Sequence, residues 1–319
     1  MKKIIFLVII LVSCSSNKEK YLFEKYYELD SFKTQNIKLE GINAIDFDDN
    51  GNAYLLDAIK TKAYIFDKNW KLKKTFLKKG KAPGEFRFFP GDIKVAFNRI
   101  YILEDYLLNI YDLEGNFIVS NKKIIASQSN IAVNKKDSLI YIGCPISKTS
   151  ANQKVLLYQC LDINGNLKEN IYFKSNIFNK IKGHETTFVS VINNKIVVNF
   201  EQINHLLIFN NKNEFEKDIK LQFNRIELKN PNGYVPFSLG PLIDIGDGKY
   251  LLRKFSTKTV KDACLFDAKL NYIDDIDYNE EVKRQLKRID CCFYSGYLYF
   301  WQDYAYSSKL YEAPINIDR

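Results

Sequence analysis

The chain lacks the composition that several large protein classes require. Its 14 Gly and 7 Pro among 319 residues are too few for a collagen-like or low-complexity protein. It has two histidines, so a zinc site with three histidine ligands cannot form within it. Beyond the N-terminus no stretch approaches the 18 apolar residues typical of a membrane-spanning helix. The 46% apolar and 14% aromatic residues nevertheless suffice for a large core.

The N-terminus predicts export. Lys2 and Lys3 precede an apolar run from residue 4 to residue 12, too short to cross a hydrocarbon core of about 30 Å. The run ends in Leu11-Val12-Ser13-Cys14, which resembles the lipobox of bacterial lipoproteins. That resemblance implies that residues 1–13 are a signal peptide and that Cys14 is acylated, for example with palmitate. We therefore expect a cell-envelope protein, attached through membrane lipid at the outer membrane or a periplasmic face, with residues 14–20 as its tether.

The five remaining cysteines are an odd number, so at least one of them is unpaired. Folding about the turn near residues 149–152 places Cys144 opposite roughly residue 157, about 10 Å from Cys160, which disfavours a disulfide between them. Cys291 and Cys292 are adjacent and point to opposite faces of a strand. We expect these cysteines to be buried thiols.

Short β-branched and aromatic runs recur along the chain, separated by Asn, Asp and Gly, which indicates an all-β protein. The repeated unit is a hydrophobic strand, a break, an aromatic strand and a polar turn, as in Ala53–Asp57 followed by Ala63–Asp67. The second strands of the units begin near residues 53, 99, 139, 195, 249 and 297. Each spacing is long enough for four strands.

These repeats predict one domain over residues 21–319, a six-bladed β-propeller with four-stranded antiparallel blades and first strands lining a central channel. The last unit ends after its third strand, while residues 26–39 precede the first unit and belong to no blade. We expect this N-terminal segment to pair beside Lys309–Glu312 and close the ring. The stretch 280–288 is helix-like and predicts a short insert.

The segment Lys79–Phe86 (KGKAPGEF), followed by Phe89-Pro90 and the strand around Ile100, resembles an NHL-type repeat. Together with the lipobox, it makes the chain similar to the six-bladed β-propeller lipoproteins of Bacteroidetes. Gly80, Pro83 and Gly84 allow a tight loop, and Phe86 is expected to fasten that loop to the core between two blades. We interpret the motif as structural rather than phosphate-binding, because no helix start follows it.

A ligand site in a propeller is expected at the channel mouth, where the loops that join neighbouring blades emerge. The predicted ligand-binding residues on that face are Arg87, Tyr106, His184, Glu201, His205, Arg225, Tyr234, Arg253, Asp303 and Tyr304. Phe88 and Asp105 lie on the same face. The alternative for each of these residues is an ordinary loop position. Asp57, Asp105 and Asp303, at the ends of second strands, could form a carboxylate ring for a cation, but a role in capping turns is favoured.

No catalytic or metal site is predicted, because no G-x-S-x-G elbow and no spaced Cys/His pair occurs. The favoured function is a non-catalytic, membrane-tethered binding or scaffolding module for a glycan, peptide or protein, without cofactors and monomeric. The alternative is a calcium-dependent hydrolase or lyase acting on a sugar lactone or peptide derivative, for which Glu201, Asn199 and Asp244 are possible ligands. The lysines between residues 71 and 81 are interpreted as protection of an outer strand edge, and nucleic acid is not expected as a partner.

Overall fold

In a computed structural model of the chain, the structure describes residues 27–29, 35–88, 90–125, 129–147, 153–181, 184–221, 238–245, 247–255, 263–276, 290–295, 297–304 and 307–314. Apart from a short 3-10 helix at Asn176–Lys180, their regular structure consists of β-strands. The lipobox with Cys14 and the helix-like stretch 280–288 lie outside the described residues. Within these ranges, no helix has the length and apolarity needed to cross a membrane.

Five blades are each built from four consecutive antiparallel strands. The first two blades contain β2 (Ile42–Phe47), β3 (Ala53–Asp57), β4 (Lys62–Phe66) and β5 (Leu72–Phe76), then β6 (Asp92–Ala96), β7 (Arg99–Glu104), β8 (Leu107–Asp112) and β9 (Phe117–Asn121). The third and fourth contain β10 (Ile131–Asn134), β11 (Leu139–Gly143), β12 (Lys154–Asp162) and β13 (Leu167–Lys174), then β14 (Thr187–Ile192), β15 (Lys195–Phe200), β16 (His205–Phe209) and β17 (Phe215–Lys220). The fifth contains β18 (Ser238–Asp244), β19 (Tyr250–Phe255), β20 (Ala263–Phe266) and β21 (Tyr272–Ile276).

The two ends of the chain form a further, composite four-stranded sheet. It has the order β1-β24-β23-β22, with β1 at Tyr27–Glu28, β22 at Asp290–Tyr294, β23 at Tyr297–Tyr304 and β24 at Ser307–Pro314. Its innermost strand β22 contacts both β2 and β18, so the innermost strands form a closed ring around the channel. We call this unit the closing sheet.

The predicted architecture of six blades is corrected to five blades of consecutive strands and the closing sheet. The expected pairing of the N-terminal segment beside Lys309–Glu312 is found in the described residues, where β1 pairs with Glu312 and Tyr311. The Leu29 amide adds one hydrogen bond of 2.9 Å to the Leu310 carbonyl. The physical reason is that, in the described part of the chain, the outer strand of this sheet is β1 from the N-terminal end, whereas each of the five blades takes all four strands from one continuous stretch. The all-β class and the four-stranded antiparallel blades are confirmed.

The polar turn that ends each repeat has a common hydrogen-bonding scheme. Asp112 Oδ1 accepts the Asn116 amide at 2.7 Å, and Asp112 Oδ2 accepts the Asn116 side chain at 2.8 Å. Asp162 and Asp267 make the same pair of bonds to the Asn four residues later. These bonds hold the pKa of each of the three carboxyls below its ordinary value. In these three blades the local sequence Asp-x-x-x-Asn therefore fixes the turn from the third strand to the fourth.

Polar side chains on the inner strands join one blade to the next. Asp46 Oδ2 accepts the Val95 amide at 2.7 Å, and Asp92 Oδ2 accepts the Ile131 amide at 2.7 Å. The Asn130 side chain both accepts from and donates to the Val189 backbone at 2.8 Å. Because unpaired backbone groups are costly when buried, these bonds hold the inner strands in register across the blades.

Two cysteine predictions can be compared with the structure. Cys144 and Cys160 are buried thiols, as expected, and burial raises the pKa of Cys160 to about 11. The Cys144 amide donates to the Leu157 carbonyl at 2.9 Å, which is the predicted register between those strands. Cys292 is a half-buried thiol on β22.

Candidate functional site

A groove of about 660 Å³ lies on the second blade, at its rim. Its walls are the loop of residues 81–88, the turn between β7 and β8, and the outermost strand β9. Its lining combines aromatic and aliphatic side chains with both signs of charge. We refer to it as the blade-two groove.

The loop wall is fixed by the Lys79–Phe86 motif. Phe86 is fully buried in the core that joins the first two blades, and its amide donates to the Lys78 carbonyl at 3.1 Å. Gly84 has a φ of 76°, a conformation that few residues with side chains adopt, and its carbonyl accepts the Tyr111 hydroxyl at 2.9 Å. The structural interpretation of the motif is consistent with these contacts, and the same contacts create one side of the groove.

Glu104 is the most informative residue of the groove. It ends β7, is 2% exposed, and its Oε1 accepts the Arg87 amide at 2.7 Å and the Phe88 amide. Its Oε2 is buried and has no hydrogen-bond partner among the described residues. Burial raises the pKa of this carboxyl above its ordinary value. A ligand that supplied an N–H or O–H group would satisfy the remaining oxygen.

The rim carries the groups that could hold such a ligand. Phe88 and Tyr106 are exposed aromatic rings, and Tyr106 has a φ of 62° in the two-residue turn between β7 and β8. Lys81, Arg87 and Lys122 also line the groove. Aromatic rings can stack on sugars or pack on peptide side chains, while the cations can bind acidic groups.

The structure brings together some of the sequence-predicted residues and separates others. Arg87 and Tyr106 share the groove, together with Phe88 and Asp105. His205 lies at the start of β16, where its Nδ1 is 2.7 Å from Asp218 Oδ1 on the neighbouring outer strand. It is engaged in a cross-strand pair rather than in the groove.

His184 and Glu201 belong to the fourth blade. His184 is exposed, and the Glu201 amide donates to the Thr186 carbonyl at 2.9 Å. Next to them Glu185 is buried, and its Oε1 accepts the Gln202 amide at 2.7 Å. Burial, followed by the neighbouring charge of Glu201, raises the pKa of Glu185 from 4.5 to about 7. These residues form a separate polar cluster.

The remaining candidates are only partly placed. Arg225 and Tyr234 lie outside the described residues. Arg253 is on β19 and pairs with Ala263, while Asp303 and Tyr304 are on β23 and pair with Ser308 and Ser307. Nothing is described of the side chains of these three residues.

Sequence reasoning did not single out Glu104 or Glu185. For Glu104 the sequence did contain a signal, which is its position at the end of a second strand, as for Asp57. Asp57, at the end of β3, accepts the amides of Glu40 and Gly41 at 2.9 and 3.1 Å. Glu104 holds the amides of Arg87 and Phe88 in the equivalent way at the end of β7. The turn-capping role preferred for Asp57 is present, since Asp57 Oδ1 also accepts the Lys60 amide at 3.1 Å in the turn after β3. In the second blade the carboxylate that bonds the preceding loop is Glu104 and not Asp105.

Two of the predicted calcium ligands can be placed in the structure. The Asn199 side chain donates to the Gly240 carbonyl at 2.8 Å, and Asp244 is exposed at the end of β18. Among the described residues no group of three His, Cys, Asp or Glu side chains could hold a metal ion.

No family model and no curated protein matches the sequence. Solved structures do match its fold. A member of the DUF4221 family from Bacteroides vulgatus has 13% identity and a TM-score of 0.60, covering 93% of this chain and 96% of its own. An assumed exported protein from Bacteroides fragilis has 12% identity and a TM-score of 0.58, covering 92% and 96%. The calcium-binding protein regucalcin from Agrobacterium tumefaciens has 10% identity and a TM-score of 0.55, covering 93% and 95%. At these identities the similarity establishes the β-propeller fold alone.

Proposed function

We propose that the chain is an exported lipoprotein whose propeller binds a ligand in the blade-two groove without catalysing a reaction on it. The observation that carries this proposal is the buried Glu104 Oε2, which lacks a partner among the described residues beside a cavity of about 660 Å³. Orphaned buried acceptors are rare unless they serve a purpose, and a ligand donor is the purpose that this location favours. A glycan, a peptide or a protein segment could supply that donor.

In this proposal residues 1–13 direct export and are removed, acylated Cys14 attaches the protein to a membrane of the cell envelope, and residues 14–20 act as the tether. The propeller over residues 21–319 is then a monomeric binding module held near the membrane. Two acyl chains would make this attachment stable, since each buried CH₂ contributes about 0.8 kcal/mol.

Lipid attachment is tested by metabolic labelling with an alkyne analogue of palmitate. We expect the wild-type chain to be labelled and to sediment with membranes, and Cys14→Ser to lose both properties because the acylated thiol is gone. Cys144→Ser serves as the control, since that thiol is buried in the third blade. Equal labelling of wild type and Cys14→Ser would contradict the lipoprotein assignment.

Ligand binding is tested by probing glycan and peptide arrays with the full chain. Tyr106→Ala is expected to weaken binding of the best array ligand about tenfold, because an exposed aromatic ring beside the cavity is lost. The matched control is Tyr172→Ala on β13, since Tyr106 is 57% exposed and Tyr172 is 55% exposed. Equal effects of the two substitutions, or the absence of any array ligand, would overturn the proposed binding site.

A further inference from the structure

The outer strand of the second blade differs from those of the other blades. Outer strands have one free edge, and proteins commonly protect that edge with charged residues. The other four blades follow this rule, with Lys73 and Lys74 on β5, Lys168 and Glu169 on β13, Glu216 and Lys217 on β17, and Asp274 and Asp275 on β21. The strand β9 has the sequence Phe-Ile-Val-Ser-Asn and contains no charge.

This uncharged edge is accessible. Phe117, Ile118 and Val119 are exposed large hydrophobic residues in succession on β9. Among the described residues, β8 is the only strand that pairs with β9. The backbone groups on the far side of β9 and three neighbouring apolar side chains are therefore available to an added strand.

The groove beside β9 determines the charge of a suitable partner. Lys81, Arg87 and Lys122 line it and form no salt bridge within the described part of the chain. The lining also carries three carboxylates. Glu85 is already paired with Lys78 at 2.8 Å, Glu104 is buried and accepts two backbone amides, and Asp105 is exposed, so the three cations outnumber the one exposed carboxylate. Acidic side chains on the partner would thus meet unpaired cations, which favours an acidic segment over a basic one.

We propose that β9 is a docking edge for an extended acidic peptide segment of another protein, which adds to the second blade as a fifth strand. This inference rests on the proposed function, because it names the ligand class of the blade-two groove. Main-chain hydrogen bonds to β9 would provide affinity, and the groove would select apolar and acidic side chains.

A second copy of the chain fits this edge less well. Antiparallel pairing of two β9 strands about Val119 would place Lys122 of one copy opposite Asn116 of the other. Lys74 already occupies that position, since its Nζ donates to Asn116 Oδ1 at 3.0 Å and to the Glu114 carbonyl at 2.6 Å. Like charges would meet at both ends of the pair, which disfavours self-association.

The probe is an acetylated peptide of alternating Val and Thr with Asp at each end, measured with the full chain by fluorescence anisotropy. We expect saturable binding, weakened about tenfold or more by Ile118→Lys, because a lysine protects the edge as it does on β5. Ile273→Lys on β21 is the matched control, since Ile118 is 46% exposed and Ile273 is 45% exposed. Both positions are exposed, so unchanged thermal melting verifies that each variant is folded.

Two modified peptides test strand addition itself. In an added strand only alternate amides face β9, so N-methylation of one alternate set should abolish binding and methylation of the other set should preserve it. Equal effects of the two methylations, or equal binding of a peptide with Lys in place of Asp, would overturn the proposal. So would a dimer in analytical ultracentrifugation that Ile118→Lys dissociates.

The failure of this inference can be separated from failure of the proposed function. A glycan ligand that is lost in Tyr106→Ala and retained in Ile118→Lys would leave the groove as a binding site and refute the strand-addition mode. If the wild-type chain bound no array ligand and did not bind the peptide, both the proposed function and the strand-addition inference would be refuted.

Discussion

Phe86→Ala should lower the free energy of unfolding by about 3–5 kcal/mol, the usual cost of truncating a fully buried phenylalanine. Phe86 is 0% exposed and packs in the core that contains Phe76 of the first blade and Tyr111 of the second. Truncation would leave a cavity between two blades, where neither sheet can move inward without breaking its own ladder. Chemical denaturation with urea measures the change.

Phe88→Ala is the matched control, because Phe88 lies two residues away and is exposed. We expect it to change the free energy of unfolding by no more than about 0.5 kcal/mol while weakening ligand binding in the groove. Phe86→Ala should weaken binding as well, since the loop that carries Arg87 and Phe88 would lose its anchor. A loss of stability below about 1 kcal/mol for Phe86→Ala would contradict the anchoring role.

The elements that the sequence predicted correctly depend on local interactions. A carboxylate that bonds the backbone and the Asn side chain four residues later needs no distant partner, and for this reason Asp112 and Asp162 mark turns that can be recognised in the repeat. The register of Cys144 opposite Leu157 also follows from the position of one turn. The closing sheet is a different case, because its outer strand comes from the opposite end of the chain, and the repeat pattern alone did not distinguish it from a blade of four consecutive strands.

The site was harder to predict because it depends on which face each side chain occupies. In a strand, a shift of one residue reverses inside and outside. Sequence reasoning selected Asp105, whereas Glu104, one position earlier, is the buried carboxylate that holds the loop. For His205, assigned to the channel mouth, sequence reasoning did not identify its partner Asp218, which the pairing of β16 with β17 brings to 2.7 Å from its Nδ1. Such pairings become visible only when the register of two strands is known.

The second large effect is expected from Glu185→Gln, and it depends on pH. Glu185 is buried, and its pKa is raised from 4.5 to about 7. Below about pH 4.5 the carboxyl is protonated in both the folded and the unfolded chain, so its ionisation does not lower the stability of the fold. Between about pH 4.5 and 7 the unfolded chain releases this proton while the folded chain retains it, so stability falls as pH rises. The pKa difference corresponds to about 3 kcal/mol lost by pH 8.

Glutamine resembles the protonated carboxyl and keeps an oxygen that can accept the Gln202 amide. The free energy of unfolding of Glu185→Gln should therefore match that of the wild type near pH 4.5 and exceed it by about 3 kcal/mol at pH 8. Urea unfolding at a series of pH values measures the difference between the two proteins. Taking that difference removes the contribution of other buried acids, such as Asp92, whose pKa burial raises to about 6. Glu114→Gln, the same substitution at an exposed position, is the control. A difference between wild type and Glu185→Gln that stays constant with pH would mean that the carboxyl titrates in the fold as it does in the unfolded chain, and that the fourth-blade cluster does not penalise its charge.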